Sequence, residues 1–271
     1  MKKIILKSKV IINSDLNLRD LNKINFDKPI NSLLAIKALY KRREVRLREL
    51  FEVKCQNNKL DHHELVINGL NENCNYVGWN WVNGNLIVNS SVGSFVGAKM
   101  QSGKIFIKGS AGNYVGSQMQ GGSINISANT SDFVGSPLPG SKAGMSGGVI
   151  IIEGKSKDYL GLNMKKGMIY VGGKTGNYCC NNMIAGTVIL KRGFGKNLAI
   201  GMKRGTIFSG KEKFSNVLFK KSGELPESFF GLLHKYFSDH FGIKIFNKKK
   251  RFIRFYGDLA IDGKGELFIE K

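Results

Sequence analysis

The main pattern in the chain is a short hydrophobic run that returns every 19 residues between positions 65 and 210. Two aliphatic residues in each run are separated by one residue, which is the period of a β-strand burying one face. Columns of glycine, aromatic residues and methionine keep the same spacing, with one extra step of seven residues near 137–143. The first aliphatic column is Leu86, Ile105, Ile124, Ile150, Ile169, Val188 and Ile207. The second is Val88, Ile107, Ile126, Ile152, Val171 and Leu190.

This repeat predicts stacked β-strands. Each run is long enough for one short strand, and no helical period fits a 19-residue unit that glycine interrupts several times. One unit cannot bury a hydrophobic face by itself, whereas stacked units can. We therefore predict an all-β fold, a parallel β-helix (solenoid) of about seven 19-residue rungs over residues 65–210. Glycine columns are expected at the corners, where the backbone needs a positive φ.

The residue between the two aliphatic columns points to the outer face of each predicted strand. Six of its seven members are apolar or aromatic, although a free-standing solenoid would expose polar side chains there. We therefore expect this outer column to be covered, either by a partner protein or by the flanking segments of the chain. Phe106, Tyr170 and Phe208 are its candidate partner contacts. The outer column consists of Ile87, Phe106, Asn125, Ile151, Tyr170, Ile189 and Phe208.

The flanking segments lack the 19-residue period. Residues 1–64 are predicted to form a small N-terminal α/β cap, with strands at 33–36 and 45–47 around a basic turn. Residues 211–271 are predicted to form a C-terminal helix over 227–241, followed by short strands. Since the end of a solenoid exposes a strand edge, the helix is expected to cap that end.

Composition and charge narrow the class of protein. No apolar run is long enough to span a bilayer, and the apolar stretch at the start is too short for a signal peptide. Four cysteines, two of them adjacent, suit neither a disulfide framework nor a metal knuckle, which favours a reducing, cytoplasmic compartment. A formal net charge of +22 predicts an acidic partner: a nucleic acid, an acidic protein or a polyanionic ligand.

Residues able to carry catalysis are scarce. The four histidines lie outside the repeat at spacings that do not suit a shared metal ion. The repeat holds four carboxylates, and we interpret none of them as period-matched with another. Cys179 and Cys180 replace small residues at a turn, which favours a packing role. We therefore predict no catalytic, cofactor-binding or metal-binding residue here, and the lack of any recognised nucleic-acid module argues against nucleic acid as the partner.

Several strings are typical of one known family. They are FVGSPLPGSKAGMSGG at 133–148, MIAGTV at 183–188, MKRGT at 202–206, LFEV at 50–53, YGD at 256–258 and GKGE at 263–266. Together with the phased repeat, they resemble the C subunit of formylmethanofuran dehydrogenase. The strings near the termini resemble the bacterial branch of that family, which is the corresponding subunit of the formyltransferase/hydrolase complex of methylotrophs. The resemblance covers residues 45–271.

The resemblance implies a right-handed β-helix that is a non-catalytic structural component. In that family a metal site lies on the amidohydrolase-like A component, the D component is the formyltransferase, and the B component of the archaeal enzyme holds a molybdenum or tungsten pterin. These three are the implied partners, and the metal and the methanofuran-type carrier are implied to lie on them. The bacterial complex passes a formyl group from tetrahydromethanopterin to a furan carrier and hydrolyses it to formate, while the archaeal one interconverts carbon dioxide and formyl-methanofuran.

Two other functions stay open. The same solenoid is similar to the C-terminal domain of glutamate synthase large subunits, which would make the chain a spacer between active sites. A free solenoid binding a polyanion would also suit the charge. We further hypothesise that basic rims, including Lys203 and Arg204, face acidic partner subunits or the glutamate tail of a furan carrier, the alternative being a solvated basic surface.

Overall fold

The structure, a computed structural model, describes residues 1–57, 61–82, 84–210, 214–246 and 250–271. Within these residues the fold is mostly β, with one 13-stranded, mostly parallel sheet and one four-stranded sheet. In chain order the strands are β1 (Lys2–Ser8), β2 (Leu16–Asn17), β3 (Lys37–Tyr40), β4 (Arg43–Arg46), β5 (Phe51–Asn57), β6 (Glu64–Asn68), β7 (Cys74–Asn75), β8 (Asn85–Val88), β9 (Lys104–Ile107), β10 (Ser123–Ile126), β11 (Ser146–Ile152), β12 (Lys166–Val171), β13 (Thr187–Leu190), β14 (Arg204–Ser209), β15 (Lys220–Pro226), β16 (Arg251–Gly257) and β17 (Lys264–Glu270). The helices are α1 (Ile30–Leu34), α2 (Leu47–Leu50) and α3 (Gly231–Phe241).

The repeat forms the centre of the large sheet. Strands β6 and β8 to β14 pair in parallel. From β8 onward the paired residues are one 19-residue period apart, except at the insertion and at a register shift between Ser146 and Val149. Strand β6 pairs with β8 at an offset of 21 residues. Leu86 thus pairs with Ile105, and Ile105 with Ile124. Both aliphatic columns are fully buried, and each of their side chains contributes roughly 1.5–3 kcal/mol to folding. The strand period and the core predicted from the sequence are therefore confirmed.

The insertion at 137–143 leaves this pairing intact. Strand β10 pairs with β11 through Ser123 and Val149, which are 26 residues apart in the chain, and the next pairs follow in register. The seven extra residues lie between the strands, in a segment that contains Gly140, beside which a Cβ would meet no other atom within 4 Å. The extra length is therefore accommodated away from the core.

The N-terminal segment closes the first edge of the large sheet. Strand β1 pairs in parallel with β6, and β5 pairs antiparallel with the other side of β1. The strands expected at 33–36 and 45–47 are displaced. Helix α1 includes residues 33 and 34, and the basic turn at residues 41–42 joins β3 and β4 in an antiparallel hairpin. Pro29 is the N-cap residue of α1, and Leu33 of this short helix is buried.

The C-terminal segment covers the outer column instead of capping the end. Residues 227–230 form a 3-10 turn, and α3 continues to Phe241, where Gly242 ends the helix with a φ of 67°. The aromatic side chains of this segment pack on the outer column, with the Phe208 and Phe230 ring centres 4.8 Å apart. The expected helical cap is therefore wrong: β17 pairs in parallel with β14 and supplies the backbone hydrogen bonds that the last repeat strand needs.

Candidate interaction surfaces

The described histidines make structural contacts. His63 accepts a hydrogen bond from the backbone N–H of Lys2 at 3.1 Å and stacks on Phe26 with the ring centres 4.6 Å apart. His62 Nε2 lies 2.7 Å from the amide nitrogen of Asn85. Among the residues that the structure describes, no group of three or more His, Cys, Asp and Glu side chains is placed to hold a metal ion.

Two carboxylates of the repeat occupy one column, contrary to expectation. An Asp132 carboxylate oxygen accepts the backbone N–H of Asp158 at 2.9 Å, and Asp158 in turn accepts the N–H of Asn177 at 2.7 Å. The spacing of 26 between the two aspartates includes the insertion, which hid their equivalence in the sequence. Each member of this column uses a side-chain oxygen to bind the next repeat unit, a structural role. The members are Asn75, Ser94, Asn113, Asp132, Asp158 and Asn177.

Three of the four cysteines are packed inside the protein. Cys74, Cys179 and Cys180 are buried, whereas Cys55 is exposed. Burial away from water raises the pKa of Cys74 and of Cys179 to about 11, and it raises the pKa of Cys180 well above its usual value. These three side chains therefore stay protonated near neutral pH and are poor nucleophiles.

We expect a thiol reagent such as DTNB at pH 8 to modify Cys55 alone in the native protein and all four cysteines after denaturation. Since folding favours the protonated thiols, the native state holds more protons than the unfolded chain between the ordinary thiol pKa of 9.0 and about 11. The free energy of unfolding should therefore fall as pH rises through this interval, which urea titrations at pH 8 and pH 10 measure. Modification of native Cys179 as fast as Cys55 would contradict the burial.

The outer column divides into a covered half and an open half. Ile151, Tyr170, Ile189 and Phe208 are only 2–8% exposed, because aromatic residues of the C-terminal segment pack over them. Tyr170 and Phe208, which we expected to contact a partner, are therefore covered by the chain itself, and burial raises the pKa of Tyr170. Phe106, the third candidate, is partly exposed.

Lys203 and Arg204, the two basic candidates, are exposed, and a loop with exposed apolar side chains is hydrogen bonded to the turn that precedes them. The loop after β16 packs on the turn before β14: Asp258 accepts the N–H of Gly201 at 2.9 Å, and the N–H of Lys264 reaches the carbonyl oxygen of Lys203 at 2.7 Å. This contact brings together side chains that are distant in the sequence. Three large apolar side chains of this region, 36–46% exposed, were missed by sequence reasoning: Ile200, Leu259 and Ile261.

A partly exposed stack of aromatic rings runs along the repeat. Neighbouring rings are 4.5–5.1 Å apart and nearly parallel, and the Arg19 guanidinium lies 4.4 Å from the ring centre of Tyr76 at one end. All six residues have φ between 57° and 66°, a conformation that costs a non-glycine residue about 1–3 kcal/mol. Stacking of neighbouring rings stabilises the fold by about 0.5–1.5 kcal/mol per pair, which offsets part of the backbone strain. The rings belong to Tyr76, Phe95, Tyr114, Phe133, Tyr159 and Tyr178.

Fold and surface together define the class of protein. It is a β protein built of stacked repeats. Side-chain oxygens of one unit accept hydrogen bonds from the backbone of the next unit. Apolar and basic side chains are exposed on its surface. No helix within the described ranges is long and apolar enough to cross a membrane. Binding of other macromolecules is the activity that such a surface suits.

Comparison with known proteins gives a more particular relationship. The chain is similar to one chain in the crystal structure of the formyltransferase/hydrolase complex (FhcABCD) from Methylorubrum extorquens in complex with methylofuran. The two are 28% identical with a TM-score of 0.82, and the match covers 98% of this chain and 99% of the other. No family model and no curated protein matches the chain. The resemblance drawn from the sequence motifs, to a subunit of this complex, is confirmed.

Proposed function

We propose that the chain is the non-catalytic structural component, the C subunit, of a formyltransferase/hydrolase-type complex in one-carbon metabolism. The observation that carries this proposal is the similarity over 98% of the chain to one polypeptide of such a complex, which includes both flanking segments as well as the repeat. The described side chains agree with a structural role, because Asp132 and Asp158 accept backbone hydrogen bonds and three thiols are buried in the packing.

Within this proposal the repeat is a right-handed β-helix. Two features support winding of the chain into stacked turns: the strands pair in register one period apart, and the corners hydrogen bond in the same way. The N–H of Gly97 binds the carbonyl oxygen of Val77 at 2.9 Å, and that of Gly116 binds Val96 at 2.8 Å. Such a stack forms a rigid support on which other subunits can assemble.

The partners in this proposal are the amidohydrolase-like, the formyltransferase-like and the remaining B component of the complex. The metal and the furan carrier belong to those polypeptides, with a molybdenum or tungsten pterin only in an archaeal-type complex. The bacterial type would transfer a formyl group from tetrahydromethanopterin to the carrier and release formate. Phe106, Lys203 and Arg204 are the proposed contacts of this chain with its partners, and the +22 charge would speed the approach of acidic subunits.

The proposal is tested by purifying the tagged chain from its native cell and identifying the co-eluting proteins by mass spectrometry. We expect amidohydrolase-like and formyltransferase-like polypeptides, formyl-carrier hydrolysis by the purified assembly, and no turnover by the chain alone. An untagged strain is the control. A glutaminase partner would favour the glutamate-synthase-like spacer, and a monomer retained on heparin would favour a polyanion-binding solenoid. Hydrolysis by the isolated chain would overturn the structural role.

A further inference from the structure

The open half of the outer column continues the covered half across adjacent strands. Register places Ile5 of β1 beside Val66, Val66 beside Ile87, and Ile87 beside Phe106. Asn125 on β10 follows and separates this open row from the covered row that begins at Ile151. Ile5, Ile87 and Phe106 are partly exposed, and Val66 is 7% exposed. Both halves are thus one sheet face with the same apolar chemistry.

The two halves are also similar in length. The covered row crosses β11 to β14 and continues to Phe268 on β17, which spans four strand spacings or about 19 Å. The open row crosses β1, β6, β8 and β9, which spans three strand spacings or about 14 Å. The 11 residues of α3 extend for about 16 Å, and the helix brings Phe237 onto the covered row, with its ring centre 6.1 Å from that of Tyr170. A helix of about three turns with one apolar stripe is therefore the element that this face already accepts.

The edges of the open row carry positive charge. Lys104 lies two residues before Phe106, Lys108 two residues after it, and Lys7 two residues after Ile5. All three lysines are exposed, and none makes an ion pair with another residue in the part of the chain that the structure describes. By contrast, Lys3 pairs with Glu64 at 3.0 Å. The free lysines supply a basic border on both sides of the apolar row.

We propose that the open row, with Lys7, Lys104 and Lys108, binds an amphipathic helix of a partner subunit that has an apolar stripe flanked by Asp and Glu. The inference rests on the proposed function, since it gives the chemistry of one contact within that complex. Acidic flanks would pair with the three lysines, and the stripe would bury Ile87 and Phe106. A second copy of the chain is disfavoured as occupant, because its net charge of +22 would face an equal positive charge.

The occupant can be identified by photo-crosslinking. A benzophenone amino acid at position 106 of the full-length tagged chain, expressed in the native cell, is irradiated, and the crosslinked peptide is sequenced by mass spectrometry. We expect a peptide from a co-purifying subunit with apolar residues at three- and four-residue spacing and Asp or Glu beside them. A crosslink to a second copy of the chain, to a basic segment or only within the chain itself would overturn the inference.

Charge reversal provides an independent measurement with a matched control. In the same cells, Lys104→Glu combined with Lys108→Glu should lower the partner recovered per chain at least about tenfold, the range of an interface hot spot. Lys142→Glu combined with Lys155→Glu changes the net charge equally at exposed positions outside this face and should leave recovery unchanged. Phe106→Ala should lower recovery without lowering the melting temperature.

The outcomes separate the inference from the proposed function. If the wild-type chain brings down its partners and the charge-reversed and Phe106→Ala chains bring down as much, the open row is not a binding site, while the proposed function stands. If the wild-type chain brings down no amidohydrolase-like or formyltransferase-like polypeptide, the proposed function fails and the inference fails with it.

Discussion

Replacement of Gly103 by valine is expected to prevent the protein from accumulating in a folded, soluble form. Gly103 has a φ of +81°, and a Cβ at this position would lie 2.5 Å from the carbonyl oxygen of Gly84 in the preceding unit. A β-branched residue in this conformation is strained by about 1–3 kcal/mol. The overlap with a backbone atom adds to this, because the neighbouring unit is held in register and cannot move alone.

The Gly140→Val substitution separates the contribution of backbone strain from that of the overlap with a neighbouring unit. Gly140 has the same φ of +81°, but a Cβ there meets nothing within 4 Å. This variant should fold and lose only the strain energy, with a decrease in melting temperature of about 10 °C or less. Soluble yield and thermal melting by circular dichroism compare the two variants. A Gly103→Val protein that melts like the wild type would show that the corners between units are not closely stacked.

Phe208→Ala is the second substitution with a large expected effect. The Phe208 side chain is 3% exposed, and its ring centre lies 4.8 Å from that of Phe230 and 5.2 Å from that of Phe268. Truncation leaves a cavity between the sheet and the C-terminal segment and should cost about 3–5 kcal/mol of the free energy of unfolding. For a chain of this size that corresponds to a decrease in melting temperature of about 10 °C.

Phe106→Ala is the matched control, because Phe106 occupies the same column on the open half. Its side chain is partly exposed, so its truncation in the isolated chain should have little effect on stability. Urea or thermal unfolding of both variants measures the difference. Equal destabilisation by the two substitutions would mean that the C-terminal segment does not protect the covered row as described.

The repeat could be predicted in detail because its signal is local and is repeated. A buried aliphatic residue returns in the same column of every unit, so that one reading of the spacing predicts strand, register and core together. The aromatic column was visible in the same way. Its left-handed backbone was not, because that conformation is common for glycine and rare for tyrosine and phenylalanine.

The tertiary positions of the flanking segments could not be predicted. The stripe of α3 predicted that the helix packs on something, but an apolar stripe does not specify whether the surface is the end of the stack or its side. In the structure the exposed edge of the last repeat strand, β14, pairs with β17 and not with the helix. For the same reason the sequence could not show that Tyr170 and Phe208 are covered within the chain while Phe106 is partly exposed.

Only the basic residues of the candidate surface near Lys203 could be predicted from the sequence. Its basic residues follow the repeat and were found, whereas Leu259 and Ile261 come from a loop that a hydrogen bond between Asp258 and Gly201 holds against the stack. Such a patch exists only after folding, since its members are about 60 residues apart in the chain. The pairing of Asp132 with Asp158 was hidden by the insertion alone.

The in-register pairing of equivalent units has a geometric consequence for anything held at the two ends of the sheet. Each unit adds one strand spacing of about 4.8 Å, and the insertion between β10 and β11 shows that extra residues need not disturb this step. The number of units therefore sets the separation between the N-terminal and C-terminal segments in fixed increments. Gain or loss of one whole unit would shift two bound polypeptides relative to each other by that increment and leave the surface that each one contacts unaltered.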